Sequence, residues 1–168
     1  MEEPNQRGDV TTRARDSEEI LIRKATEEDV EEVAAIESDS FTNPWQIQTF
    51  RRMVRQGRVR FLVAEEEGEG IVGYAVMWWV MEQGELGNLA VRESHQGRSL
   101  GSALLDRILE DARERGVRHL FLEVRMSNQR AYDLYRSRGF TQVTVRKGYY
   151  RNPREDARIL VRVLDQEP

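Results

Sequence analysis

The stretch "HQGRSLGSALLDRIL", His95 to Leu109, sets two glycines, an arginine and two serines in a short turn that runs straight into a helix. Leu104, Leu105, Ile108 and Ala112 recur at helical spacing, with Asp106, Arg107, Glu110, Asp111 and Arg113 directed elsewhere. The turn therefore lies at a helix N-terminus, where unpaired N–H groups and the aligned peptide dipoles favour an anion. A phosphate is the ligand this points to, against the plainer reading of Gly97 and Gly101 as a loop end with a solvated Arg98. No Gly-Lys-Ser/Thr follows at P-loop spacing, and the dinucleotide-binding glycine pattern is absent.

On the N-terminal side of this turn, "EILIRKAT" alternates as a strand, and Thr26 with Asp29 forms a capping-box pattern ahead of a helix through "EEDVEEVAAIESDSF". Val30, Val33, Ala34 and Ile36 supply that helix's buried face. After the break at Pro44, a second helix is predicted from about Gln46 to Arg55. "VRFLVAEEE", "GIVGYAVMWWVM" and "GELGNLAV" read as a three-stranded meander. On the C-terminal side, Gly116 ends the central helix and "VRHLFLEV" is a strand. "SNQRAYDLYRSRGF" is a short helix capped at Ser127 or Asn128 and closed by Gly139, followed by strands in "TQVTVRKGYY" and "ARILVRVL". The order β-α-α-β-β-β-α-β-α-β-β predicts an α/β (α+β) fold with a mixed sheet flanked by helices. Residues 1–18 are polar and aperiodic and read as a disordered leader, leaving a single domain over 19–168. The Arg7-Gly8-Asp9 tripeptide within them is taken as chance.

Composition narrows the chemistry. The chain has 168 residues and a net charge of -4, which argues against broad attraction to nucleic acid. It has no cysteine, so disulfides, thiol nucleophiles and thiolate metal sites are excluded, and His95 and His119 lack metal-ligand spacing. The longest apolar run, "YAVMWWVM", is too short to span a bilayer, and no signal-peptide pattern opens the chain. The expectation is a cytoplasmic protein without metal, membrane or direct nucleic-acid partners, as a monomer or weak oligomer.

Three side chains carry candidate chemistry. In "LFLEVR", Leu120, Leu122 and Val124 point to one face and Phe121, Glu123 and Arg125 to the other. A carboxylate on a central strand needs a partner or a cleft, so Glu123 is either paired with Arg125 or placed for reaction. Tyr135 sits three residues from Tyr132 on a short helix and by spacing reads first as a core anchor with its hydroxyl at the rim, ahead of a catalytic role. Asn128 reads as a helix cap.

Taken together, "NPW", "NLAV", "HQGRSLGSALL", "LFLEVRMSNQRAYDLYRSRGF" and "REDARILV" resemble the GNAT acetyltransferases, and among them the RimI-type enzymes that acetylate the N-terminal alanine of a small-subunit ribosomal protein. The resemblance covers roughly residues 20 to 165. It implies acetyl-CoA as acetyl donor and an N-terminal ribosomal peptide as acceptor. By position it implies that Gly97, Arg98, Ser99, Leu100, Gly101 and Ser102 grip the pyrophosphate, that the edge at Leu89, Ala90 and Val91 pairs with the pantetheine arm, and that Asn128 touches the cofactor. It implies Glu123 as general base and Tyr135 as general acid. Tyr149, Tyr150 and the segment near Trp45 become walls of the acceptor groove, and acidic residues such as Glu82 and Glu85 suit a basic acceptor tail. Ser99 stands where the family motif has its middle glycine; at negative φ its hydroxyl could cap the helix or reach a phosphate oxygen. The same fold could serve other protein N-termini or a small amine, or act as a non-catalytic acyl-CoA-binding module.

Overall fold

The computed structural model describes residues 10–13 and 19–165. Its strands are β1 (Val10–Arg13), β2 (Glu19–Lys24), β3 (Val59–Glu66), β4 (Gly70–Val80), β5 (Gln83–Val91), β6 (His119–Arg125), β7 (Thr141–Tyr150) and β8 (Glu155–Val163). The helices are α1 (Val30–Ser40), α2 (Ile47–Arg55), α3 (Leu100–Glu114) and α4 (Gln129–Ser137). They form one eight-stranded sheet in the order β1-β2-β3-β4-β5-β6-β8-β7, antiparallel throughout except where β5 meets β6. The predicted order of elements holds, with one addition at the N-terminus. Val10–Arg13 pairs with Glu19–Ile22, so four residues of the expected leader are strand. The rest of that leader, including Arg7-Gly8-Asp9, lies outside the described residues.

Both faces of the central strands are covered, which is why they read as nearly continuous apolar runs rather than alternating ones. On one face Leu104, Leu105, Ile108 and Ala112 of α3 pack on Leu62, Ala75, Met77, Leu86, Leu120 and Leu122. On the other, Val30, Val33 and Ile36 of α1 and Phe50 of α2 pack on Phe61, Val63, Tyr74 and Val76. The rings of Phe50 lie 5.7 Å from those of both Phe61 and Tyr74. Thr26 donates its N–H to Asp29 at 2.7 Å, as the capping pattern predicted, opening a single tight turn that leads into α1. Asp111 departs from the helical-wheel reading: it is buried, because Arg60 of β3 reaches it at 2.5 Å.

The feature that makes a site is a fork in the sheet. β5 and β6 pair only over Gln83–Glu85 and His119–Phe121. Beyond that point β5 stays with β4, and β6 stays with β8 along its whole length. A bulge at Gly87 bends β5 at the fork, where Val76 pairs with Asn88 and Met77 with Leu86. Only glycine fits there: a Cβ on Gly87 would lie 2.3 Å from the Trp78 ring and 2.8 Å from that of Trp45.

Candidate active site

The fork opens into a cleft of about 900 Å³ between the free part of β5, the turn ahead of α3, and α4. Leu89, Ala90 and Val91 line it from the strand, Gly97, Ser99, Leu100, Gly101 and Ser102 from the turn, and Asn128 from the cap of α4. Nine of the ten residues assigned to the cofactor by resemblance thus meet in one cavity. The tenth, Arg98, is drawn off: its guanidinium is 2.9 Å from Glu66 at the end of β3. The buried Glu66 also meets Nε2 of His95, whose Nδ1 is 2.7 Å from the Ser94 hydroxyl. The turn is anchored through its side chains to the sheet, which leaves its backbone to face the cleft.

The first turn of α3 has N–H groups without intrahelical acceptors. Ala103 is the first to bond back, to the Ser99 carbonyl at 3.1 Å. Ser99 itself has φ 63 and ψ 20, a left-handed conformation, and its hydroxyl makes no capping bond. The condition for a capping hydroxyl, a negative φ, is therefore not met: the backbone keeps the shape a glycine would give, and the serine accommodates it at a cost of about 1 kcal/mol. Asn128 does cap α4, accepting from the Ala131 N–H at 3.1 Å, while also lining the cleft. Arg130 and Gln96, not singled out from the sequence, add polar groups at the cleft; Arg130 donates to Gln96 at 2.9 Å.

Glu123 lies two residues beyond Phe121, the last β6 residue paired with β5, and on the same face. That face is not covered by α1 or α2, and it forms a second pocket of about 310 Å³ with Glu85, Phe121, Arg146 and Ile159. Arg125 is not Glu123's partner. It bonds Glu155 at 3.2 Å, the Arg151 carbonyl at 3.1 Å and the Thr42 hydroxyl at 3.0 Å. Burial, and then the adjacent Glu85 carboxyl, push the pKa of Glu123 up to about 7. Tyr135 is buried in α4 against Phe140, and desolvation raises its pKa to about 12.

The α1–α2 connection and the β7–β8 hairpin close over this face. Asn43 donates to the Arg151 carbonyl at 2.7 Å, joining the two segments alongside Arg125. Tyr149 and Tyr150 stand edge to face at 4.9 Å, and the Arg125 guanidinium lies 4.3 Å from the Tyr150 ring. Beneath the α1–α2 connection, the fully buried Glu37 accepts from the Trp45 N–H at 3.0 Å, from the Asn88 amide at 2.8 Å and from the Tyr74 hydroxyl. Burial raises its pKa, and these three donors work against that rise. Glu37 was not singled out from the sequence, although Val30, Val33 and Glu37 share one helical stripe.

Residues 30–140 match the Acetyltransferase (GNAT) family, and the chain belongs to that family of acetyl-CoA-dependent enzymes. A Bacillus subtilis (strain 168) protein is 36% identical over 140 residues, covering 83% of this chain and 92% of its own. The [Ribosomal protein bS18]-alanine N-acetyltransferase of Escherichia coli (strain K12) is 35% identical over 127 residues, 74% of this chain and 84% of that protein. The crystal structure of the ribosomal-protein-S18-alanine N-acetyltransferase from Escherichia coli superposes with a TM-score of 0.81 at 31% identity, over 89% of this chain and 96% of that one. Among the described residues no helix is long and apolar enough to cross a membrane.

Proposed function

We propose that this chain moves the acetyl group of acetyl-CoA to the α-amine of the N-terminal alanine of a small-subunit ribosomal protein, acting in the cytoplasm. The observation that carries the reading is Glu123, a carboxyl with raised pKa on the first same-face position past the fork. The cleft on the β5 side takes the donor: N–H groups at the start of α3 hold the pyrophosphate, the free edge at Leu89–Val91 pairs with the pantetheine amides, and Asn128 contacts the arm. The acceptor enters between Trp45, Tyr149 and Tyr150. Glu123 removes a proton from the ammonium, whose reference pKa of ~8 lies close above its own. The freed amine attacks the thioester carbonyl, and the tetrahedral intermediate collapses with loss of the sulfur. Tyr135, at a pKa of about 12, is a far weaker acid than a thiol at ~8.5. It therefore acts as a hydrogen-bond donor to the developing thiolate, and the proton it passes to the sulfur is replaced by the second proton that the nitrogen sheds in becoming an amide, so that Tyr135 ends the cycle neutral.

The test is CoA release with a peptide beginning in free alanine, beside the same peptide already acetylated. Turnover on the free amine alone is the expected result, and a panel with other first residues ranks the acceptors. Acetyl-CoA binding without turnover on any peptide would overturn the reading. Tyr135→Phe should lower kcat by about 10- to 100-fold with little change in KM, and unchanged kcat would remove the tyrosine from the mechanism. Ser99→Gly should raise stability by about 0.5–1 kcal/mol, a melting shift of roughly 2 °C, and tighten acetyl-CoA severalfold. Weaker binding would show instead that the hydroxyl contacts phosphate.

A further inference from the structure

The net charge of -4 conceals a division along the chain. Residues 118–163, which build β6, α4, β7 and β8, hold eleven Lys and Arg against four Asp and Glu, a net +7. The rest of the chain holds fifteen against 26, a net -11. The fold gathers much of the positive excess on the α4 side of the last two strands. Arg154 is exposed in the turn just ahead of β8, and Arg158 and Arg162 follow it at four-residue steps, the latter two on one face of the strand. From Arg154 to Arg162 is about 26 Å at the rise of a strand. Arg136 joins the row from α4: its guanidinium and that of Arg158 lie 5.8 and 4.4 Å from the centroid of the same Tyr132 ring. None of these four arginines makes an ion pair among the described residues, and Nε of both Arg158 and Arg162 is buried without a partner. Nearby carboxylates are engaged elsewhere: Glu155 with Arg125, Asp156 with Lys147, and Glu123 in its pocket on the opposite face of the sheet.

We propose that this row of arginines is a docking surface for the phosphate backbone of RNA, and that the enzyme takes its acceptor while that acceptor is bound to RNA. The choice of RNA rests on the reading of the acceptor as a ribosomal protein. Like charges gathered without counter-charges raise the local potential, and a polyanion relieves it while shedding its own condensed cations. Guanidinium groups suit that partner, because their planar fork matches two phosphate oxygens at once. An acidic protein could meet one such arginine, but a row repeated at four-residue steps fits a continuous chain of charge. The row also begins beside the acceptor entrance. Arg154 is three residues past Arg151, whose carbonyl accepts from both Asn43 and Arg125. RNA on the row therefore runs alongside the entering tail, and its effect is on capture of the acceptor rather than on the chemical step.

The probe is a fluorescein-labelled RNA stem-loop, titrated with the full chain by anisotropy at roughly 50 and 200 mM KCl. Wild-type binding should weaken about 100-fold between the two, the salt dependence of about four neutralised phosphates. R136Q/R154Q changes two exposed side chains outside the catalytic and donor-binding groups. It should weaken binding at the lower salt by about 10- to 100-fold and reduce the log–log salt slope by about 2. R51Q/R52Q removes the same charge from exposed sites on α2 and should change binding by no more than about twofold. On the free-alanine peptide both variants should keep kcat/KM within about twofold of the wild type. On small ribosomal subunits carrying the unacetylated protein, R136Q/R154Q should lose about tenfold or more. Equal RNA binding by the wild type and R136Q/R154Q, or an equal loss in R51Q/R52Q, would overturn the surface. Competition by polyglutamate as strong as by unlabelled RNA would overturn it too, in favour of an acidic protein partner. Unchanged kcat/KM on the subunits would overturn the RNA-bound acceptor. Inactivity of the wild type on every peptide would overturn the acetyl-transfer reading instead, while the RNA titration still decides the surface.

Discussion

Glu123→Gln should lower kcat on a free-alanine peptide by about 100-fold, and up to about 1,000-fold, while acetyl-CoA affinity changes by no more than about twofold. The separation follows from where the residue sits. Glu123 belongs to the pocket with Glu85 and Arg146, whereas the larger cleft, proposed for acetyl-CoA, is built from β5, the α3 turn and α4. The amide keeps the shape of the side chain but cannot accept a proton. Because the substitution also removes a like charge from beside Glu85, the fold should be no less stable, and a melting curve distinguishes lost chemistry from lost structure. The pH dependence has a definite sign. Glu123 is a base only when ionised, and its raised pKa places that above about 7, so wild-type kcat falls as pH drops below this value. Isothermal titration of acetyl-CoA beside CoA release makes the comparison. Full activity in the variant would sink the assignment.

Much of this geometry is written locally in the chain. The stripe Leu104, Leu105, Ile108 and Ala112, the cap at Asn128 and the glycines at 116 and 139 each act over one or two turns, so spacing alone finds them. β1 escaped because four residues, Val10–Arg13, are too few for a period to register within a polar stretch. The fork in the sheet was equally hidden. It depends on β8 holding β6 along seven register pairs while Gly87, pressed by Trp45 and Trp78, bends β5 away. None of those contacts is local.

The site divides the same way. Glu123 and Tyr135 are proposed from the order of motifs around them, and the alternation in "LFLEVR" assigned Glu123 the face it shares with Phe121. What spacing could not reveal was its neighbour. Arg125, two residues away on the same strand face, pairs with Glu155, while Glu85, from a strand 38 positions earlier, lines the same pocket as Glu123. Arg98 likewise has a partner that spacing could not reveal: its guanidinium meets Glu66 from β3. Ser99 had two readings until its φ was known, since the same residue type caps a helix at negative φ and mimics glycine at positive φ.

Glu37→Ala should lower stability by about 3 kcal/mol, a fall of roughly 6–12 °C in melting temperature for a chain of this size. Glu37 is fully buried, and its removal strands three donors: the Trp45 N–H, the Asn88 amide and the Tyr74 hydroxyl. Each loses its acceptor in a place where burial makes that loss costly, and the missing side chain leaves a cavity as well. Glu37→Gln keeps one carbonyl oxygen for the Trp45 N–H and Asn88 while turning an N–H₂ toward Tyr74, so its cost should be nearer about 1 kcal/mol. The functional consequence is directional. Asn88 belongs to the bulge that opens the fork and Trp45 to the connection proposed as a wall of the acceptor groove, so loosening both should raise KM for the peptide more than that for acetyl-CoA. Thermal melts of the two variants, with KM for each substrate, make the test. Equal losses in Glu37→Ala and Glu37→Gln would assign the effect to the carboxylate charge alone. The expected order, alanine far worse than glutamine, would assign it to the three hydrogen bonds that tie α1 and the α1–α2 connection to the sheet.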